Sequence, residues 1–163
     1  MNILYIAAES SISGANKSMC ILAKKIEKEG NNVYVILPAP GPIENELKLR
    51  NIQYKIIYSK DWTVTLTNNP LMNRLRAIKR KIYNIKAIIE IRKYIKNKDI
   101  NIVHNNSISS YVGAIAGYKE KCRVVWHLRE FLEEDHGIKI CEGFNHKKII
   151  NKADCIINIS NAV

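Results

Sequence analysis

Apolar runs of strand length alternate with stretches of helical spacing along the whole chain. Ile3 to Ala8 is a continuous apolar run, which is typical of a strand buried on both faces. Five further strands are predicted at residues 33–37, 53–58, 100–103, 123–126 and 155–159. Helices are predicted between them at 15–29, 43–50, 109–118 and 145–151, with a long helix that begins after Asn69-Pro70. Six strands alternating with helices predict an α/β fold: a doubly wound, mostly parallel, Rossmann-like sheet with right-handed crossovers.

The long helix carries most of the net positive charge of the chain. Between Leu71 and Lys98 there are ten Lys or Arg residues and one acid, Glu90. Its large aliphatic residues recur at helical spacing, so we expect this side to pack inward while the cations face outward. They are Leu71, Leu75, Ile78, Ile82, Ile85 and Ile89. A basic face of this kind attracts nucleic acid, anionic lipid or phosphorylated substrates, although a simple solvated helix face would show the same pattern.

Length, composition, charge and cysteine spacing limit the kinds of protein that this chain can be. The 163 residues fit one domain, 1–163, and 47% of them are hydrophobic, which excludes a disordered chain. The net charge is +11, and four cysteines stand far apart without a C-x-x-C pair, so we expect reduced thiols in a cytoplasmic protein rather than zinc or disulfides. The N-terminus lacks a signal-peptide pattern and no apolar run is long enough to span a bilayer. We therefore predict a soluble or peripheral protein.

In a doubly wound sheet, ligands bind at the carboxyl ends of the strands. The first strand leads into Ser13-Gly14-Ala15-Asn16, with a helix directly behind. A glycine there lets a ligand approach the backbone, and a helix N-terminus offers free N–H groups, so this loop is a candidate phosphate-binding edge. A turn glycine without a ligand is the alternative interpretation.

The fourth and fifth strands each end in a histidine followed by polar residues: His104-Asn105-Asn106, and His127 with Arg129 and Glu130. His127 could hydrogen-bond a sugar hydroxyl or move a proton near neutral pH. Glu130 could orient the histidine and Arg129 could pair with a phosphate. Two histidines at adjacent strand ends favour a functional site over two structural histidines.

The sequence motifs of several other kinds of site are absent from the chain. The chain contains neither G-x-G-x-x-G nor G-x-x-x-x-G-K-[ST], which argues against a dinucleotide or P-loop site. It also lacks a G-x-S-x-G elbow and a cluster of His, Cys or acids with metal-ligand spacing. We therefore predict no metal and no cofactor.

The order of these motifs resembles the N-terminal domain of family-four glycosyltransferases, which are retaining enzymes of the GT-B architecture. The residues that carry the resemblance are Ser-Ile-Ser-Gly-Ala-Asn-Lys-Ser at 11–18, Ile-Val-His-x-Asn at 102–106, Val-Val-x-His-x-x-Glu at 124–130 and A-D-x-I-I-x-x-S at 153–160. The resemblance implies transfer of a sugar from a nucleotide-sugar donor to a glycan or lipid acceptor. It also implies that Ser13, Gly14, Ala15 and Asn16 lie near the donor diphosphate or the acceptor.

The same resemblance gives each strand-end residue a role. His127 and Glu130 would be catalytic, with His127 contacting the transferred sugar. The acceptor side would be lined by His104, Asn105, Asn106 and Arg129. The nucleotide would be held chiefly by a second, C-terminal domain that this chain does not contain, so we expect the isolated domain to be inactive.

For the basic helix we expect a membrane or polyanion face formed by Arg76, Lys79, Arg80 and Lys81, holding the protein on the inner face of the membrane. The main alternative from another class is a basic α/β domain that binds nucleic acid or another polyanion without catalysis. Specific nucleic-acid binding is not expected, because few aromatic residues lie among the cations to stack on bases.

Overall fold

The computed structural model describes residues 1–64, 70–129, 139–141 and 144–159. Within them, the strands are β1 (Asn2–Ile6), β2 (Asn32–Leu37), β3 (Gln53–Ile56), β4 (Thr63–Val64), β5 (Ile102–Asn105), β6 (Arg123–Leu128), β7 (Lys139–Ile140) and β8 (Cys155–Asn158). The helices are α1 (Gly14–Lys28), α2 (Ile43–Leu49), α3 (Pro70–Asn97), α4 (Val112–Lys119) and α5 (His146–Ile150). The predicted alternation of strands and helices is confirmed.

Six of the strands form one sheet in the order β3-β2-β1-β5-β6-β8, and every neighbouring pair in it is parallel. The chain winds outward from β1 to β3, and α3 then carries it back across the sheet to β5 on the other side of β1. The strand order therefore reverses between β1 and β5. A crevice at the carboxyl ends of these two strands is where open α/β sheets bind ligands.

Two apolar clusters lie on opposite faces of the sheet, because successive residues of a strand point to opposite sides. On one face, Ile3 and Tyr5 of β1 pack with Met19 of α1 and Leu47 of α2. On the other face, β1 contributes Leu4 and Ile6 to a cluster that contains side chains of α3 and α4. The helices thus cover both faces, as the doubly wound prediction requires.

Two glycines determine how closely α4 packs against the sheet. A Cβ added at Gly113 would overlap the Ile6 side chain and lie 2.7 Å from Asn105 Oδ1. One added at Gly117 would lie 2.9 Å from Val124 Cγ2. These two glycines, four residues apart, allow the close helix–sheet contact that their spacing predicts.

The loop after β3 is held by a buried tryptophan. Trp62 is fully buried, stacks on Tyr111 at 5.0 Å between ring centroids, and donates its indole N–H to the Ile108 carbonyl at 2.7 Å. Next to it, β4 pairs with β7 in a two-stranded antiparallel ribbon that the alternation pattern does not predict. The described part of this loop is therefore tied to the core.

The predicted inward face of α3 is wrong. All six large aliphatic residues of that stripe, from Leu71 to Ile89, are between 45% and 73% exposed. The buried side of the helix instead carries mostly small or amide residues, which are Asn73, Ala77, Asn84, Ala87, Ile91 and Ile95. Asn84 explains part of this, because its side chain accepts from the Lys60 N–H at 2.9 Å and donates to the Lys60 carbonyl at 2.6 Å.

Candidate functional site

The residues that follow β1, β5 and β6 meet at one edge of the sheet. Asn106, directly after β5, donates its backbone N–H to the Ile6 carbonyl at 3.0 Å and so extends the ladder with β1. Its side chain donates to the Ala15 carbonyl in the first turn of α1, at 3.2 Å. The predicted convergence of the first loop with the end of β5 is therefore present, at the position where the strand order reverses.

Arg129 joins the three elements. Its guanidinium donates from Nε to Asn106 Oδ1 and from Nη1 to Ser18 Oγ of α1, both at 3.1 Å. From Nη2 it contacts His127 Nδ1, also at 3.1 Å. A permanent positive charge is thus fixed beside the start of α1, whose N-terminus adds a partial positive charge of its own.

This contact fixes the tautomer of His127. A guanidinium has N–H donors and no acceptor, so His127 Nδ1 accepts and the ring proton lies on Nε2. Burial and, to a smaller extent, the charge of Arg129 lower the pKa of His127 to about 4. His127 is therefore neutral at pH 7, which favours the hydrogen-bonding role over proton transfer near neutral pH.

His104 and Tyr5 lie behind His127 on the same face of the sheet. The His104 ring stacks on Tyr5 with 4.6 Å between centroids and lies 5.5 Å from the His127 ring. Burial, helped by the nearby His127 and Arg129, lowers the pKa of His104 to about 3, and burial raises the pKa of Tyr5 to about 12. Within the described residues, His104 Nε2 and the Tyr5 hydroxyl are buried polar atoms with no hydrogen-bond partner.

Side-chain hydrogen bonds within the loop from β1 to α1 hold its backbone in place, while the backbone at Gly14 is exposed. Ser13 caps α1 by accepting from the Asn16 N–H at 3.3 Å. The buried Asn16 side chain donates to the carbonyls of Glu9 and Ser11, at 3.2 and 2.9 Å. A Cβ placed on Gly14 would meet no atom within 4 Å, so the backbone here is accessible to a ligand.

The structure places one predicted site residue away from the others. Asn105 points to the opposite face, where its Oδ1 lies close to Gly113 of α4 and its amide donates to the Ser110 carbonyl at 3.4 Å. It is therefore separated from the cluster formed by His104, Asn106, His127 and Arg129. Glu130 lies outside the described residues. Tyr5 belongs to the site although the sequence gives no signal for it beyond an aromatic residue within an apolar run.

The four cations expected on the membrane or polyanion face have different surroundings. Arg76 and Lys79 are exposed. Arg80 instead pairs with the Asp61 carboxylate and donates to the Thr63 carbonyl at 2.6 Å, so it anchors the loop before β4. Lys81 lies over the Phe144 ring, 4.6 Å from its centroid. Arg80 and Lys81 thus make contacts within the domain, whereas Arg76 and Lys79 are exposed.

Residues 1–64, 70–129, 139–141 and 144–159 contain no group of three His, Cys, Asp or Glu side chains arranged to hold a metal ion. In the same part of the chain, no helix combines the length and the apolar character that crossing a bilayer requires.

Comparison with known proteins defines the class of fold. No known family model matches the chain, and no curated protein sequence matches it. Solved structures do: MurG from Acinetobacter baumannii superposes with a TM-score of 0.64 and 17% identity, over 96% of this chain and 40% of that one. HepE from Anabaena in complex with UDP-glucose gives 0.66 and 18%, over 96% and 36%. WaaB, a lipopolysaccharide outer core galactosyltransferase, gives 0.62 and 15%, over 96% and 38%.

The chain has the α/β fold of the N-terminal half of GT-B glycosyltransferases. This is the fold that the sequence predicts, so the expected fold is confirmed. The chain spans only 36% to 40% of the length of these three neighbours.

Proposed function

We propose that this chain is the acceptor-side domain of a glycosyltransferase, which transfers a sugar from a nucleotide-sugar donor to a glycan or lipid-linked acceptor. The observation that carries the proposal is the Arg129 network, which joins α1, the end of β5 and His127 beside the open Gly14 backbone. The presence of UDP-glucose in the similarly folded HepE supports a nucleotide-sugar donor. We further propose a retaining reaction of the family-four type.

In this proposal each group acts on a defined part of the substrates. The first turn of α1, from Gly14, lies against the donor diphosphate or the acceptor, where N–H groups and Arg129 attract negative charge. His127 donates from Nε2 to a hydroxyl of the transferred sugar. Arg129 is a positioning residue for His127, because it fixes the tautomer that leaves Nε2 as the donor. Glu130 keeps its proposed catalytic role beside His127.

Turnover is proposed for a longer protein and not for these 163 residues alone. Sugar transfer needs electrostatic stabilisation of the leaving diphosphate. In the proposed reaction that clamp belongs to a second domain, so the isolated chain binds substrate weakly and transfers no sugar. Donor-dependent transfer by the 163-residue chain would contradict this part of the proposal.

The proposal can be tested by NMR on the 163-residue chain, with backbone amides and histidine rings labelled. We would add UDP-, GDP-, dTDP- and CMP-sugars in turn and record shifts at Gly14, Asn106 and His127. At least one nucleotide-sugar should produce saturable shifts confined to this edge, and Arg129→Gln should weaken them at least about tenfold, in line with the loss of a charge-assisted hydrogen bond. Lys25→Gln, a change of the same charge on the exposed side of α1, should leave them unchanged.

Two results would refute the proposal. One is that no member of the nucleotide-sugar panel shifts the Gly14, Asn106 or His127 signals even at concentrations high enough to detect the weak binding expected of the isolated chain. The other is that short RNA or DNA saturates the chain below micromolar affinity while the sugars do not, which would favour the nucleic-acid alternative.

A further inference from the structure

Helix α3 presents a continuous apolar stripe to solvent. Six aliphatic side chains, at positions 71, 75, 78, 82, 85 and 89, are each at least 45% exposed. At a rise of about 1.5 Å per residue they form a line about 27 Å long. Isolated exposed aliphatic residues are common on proteins, but a line of six on one helix marks an interaction surface.

The exposed stripe does not lie on the side of α3 that packs in the core. At 100° per residue, the direction from Leu71 to Ile89 lies almost opposite the buried side, which includes Ala77, Ala87 and Ile91. Ala87 and Ile91 already pack in the cluster with β1 and α4, and Ala77 packs with Cys141 and Phe144. The helix is therefore fully docked through one side, and its stripe faces away from the domain.

Lysine and arginine side chains lie along both borders of the stripe and beyond its C-terminal end. On the helical projection, Lys79 and Lys86 lie along one border and Arg74 lies along the other, and all three are exposed. Beyond Ile89, the line of the stripe continues into Lys93 and Lys96, which are exposed as well. Long Lys and Arg side chains in such positions reach lipid headgroups while neighbouring aliphatic groups enter the apolar region beneath them.

Charge decides between the possible occupants. A second copy of the chain on this face would bring the nine Lys and Arg residues of one α3 against the nine of the other, with one acid on each. Nucleic acid would match the charge but would leave the exposed isoleucines against phosphate and water. An anionic bilayer matches both features, because its surface attracts Lys and Arg and its interior accepts aliphatic groups.

We propose that α3 lies flat on an anionic lipid bilayer, with the stripe from Leu71 to Ile89 inserted to the boundary of the acyl chains. The bordering lysines and arginines contact the headgroups. This inference does not depend on the proposed transferase activity, because it rests on α3 and not on the strand-end site.

The first test is co-sedimentation of the 163-residue chain with vesicles of 30% phosphatidylglycerol in phosphatidylcholine. The triple variant Ile78→Ser, Ile82→Ser and Ile85→Ser should lower partitioning at least about 30-fold, since each change removes apolar area that enters the membrane. The matched control is Ile21→Ser with Leu49→Ser, which changes side chains 61% and 76% exposed on α1 and α2. The control should partition like the wild type.

The charged borders need a separate pair of variants. Lys79→Gln with Lys86→Gln should weaken binding to the anionic vesicles several-fold, whereas Lys25→Gln with Lys28→Gln on α1 should have little effect. Wild-type binding should also fall in 0.5 M NaCl and on pure phosphatidylcholine vesicles, because both conditions reduce the electrostatic attraction.

Insertion itself can be read from tryptophan fluorescence. Ile82→Trp should shift to shorter wavelength on anionic vesicles and be quenched by lipids brominated on the acyl chain. The two native tryptophans, Trp62 and Trp126, are fully buried and serve as an internal background. Leu49→Trp should show neither effect.

Three outcomes would overturn the inference. One is that the triple serine variant binds vesicles as well as the wild type, and another is that Ile82→Trp binds vesicles without quenching by the brominated lipids. A concentration-dependent dimer that the triple variant converts to monomer, without vesicle binding, would assign the stripe to a second copy instead.

Discussion

Acid should destabilise this domain through His104 and His127, and the effect is large enough to measure. In the folded chain the pKa values of these histidines are lowered to about 3 and about 4, chiefly by burial. An unfolded histidine titrates near pH 6.5. Between these values the unfolded chain binds protons that the folded chain does not, so the free energy of unfolding falls as the pH falls from about 6.5 towards 4.

The size of the effect follows from the proton linkage. From pH 7 to pH 5, a histidine with such a shift costs the folded state roughly 2 kcal/mol. The half-buried His127 contributes somewhat less, because solvent screens it. Together the two histidines should remove about 3 to 4 kcal/mol, a large part of the 5 to 15 kcal/mol that is typical of a whole domain.

The measurement is urea unfolding at several pH values between 7 and 5, on the wild type and on His104→Gln and His127→Gln. Each substitution removes one titrating group, so each variant should lose stability less steeply, by up to about 1.4 kcal/mol per pH unit. Differences between variants cancel the contributions of the carboxylates, which also change in this range.

Histidine NMR supplies an independent check on the reasoning. Ring signals of both residues should show no titration above pH 5, and the nitrogen shifts of His127 should report a proton on Nε2. A midpoint near 6.5 for either ring, or equal slopes for wild type and variants, would show that the site is more hydrated than its geometry indicates.

Three further predictions concern packing and the site. Gly113→Ala should destabilise the domain by about 1 to 3 kcal/mol in urea unfolding despite the helix preference for alanine, whereas Gly14→Ala, which meets no neighbour, should change stability by less than about 0.5 kcal/mol and weaken nucleotide-sugar binding. Asn84→Ala should cost roughly 1 to 3 kcal/mol in the same assay, because it removes the two hydrogen bonds that the buried Asn84 side chain makes to the Lys60 backbone. Arg129→Lys should keep the charge but free the tautomer of His127, which the nitrogen shifts of its ring would report.

The fold was predictable because its signals are local and repeated. Short apolar runs alternate with helical spacing six times, and this order alone indicates parallel strands with crossovers. The edge that carries the site follows from the same rule, since the carboxyl ends of parallel strands meet. His127 and Asn106 were found in this way. The separation of Asn105 from His104 also had a signal, because neighbouring residues of a strand face opposite sides.

The face of α3 was not predictable from apolar periodicity, for a physical reason. A helix with aliphatic residues on two sides gives two candidate buried faces, and the larger side chains form the more regular stripe. The structure buries the other side, where Ala77 and Ala87 allow close approach and Asn84 satisfies a loop backbone. Buried amides read as surface residues in a sequence, so their role becomes visible only with their partners in place.

The position of β1 in the centre of the sheet has a consequence for folding. Its two neighbours are far apart in the chain: Ile3 pairs with Val33 on one side and with Ile102 on the other. During synthesis, β1 can join β2 early, but its second edge stays open until β5 leaves the ribosome. Closing this long-range pairing requires ordering a large loop, so we expect it to be the slow step and the nascent chain to need protection until then.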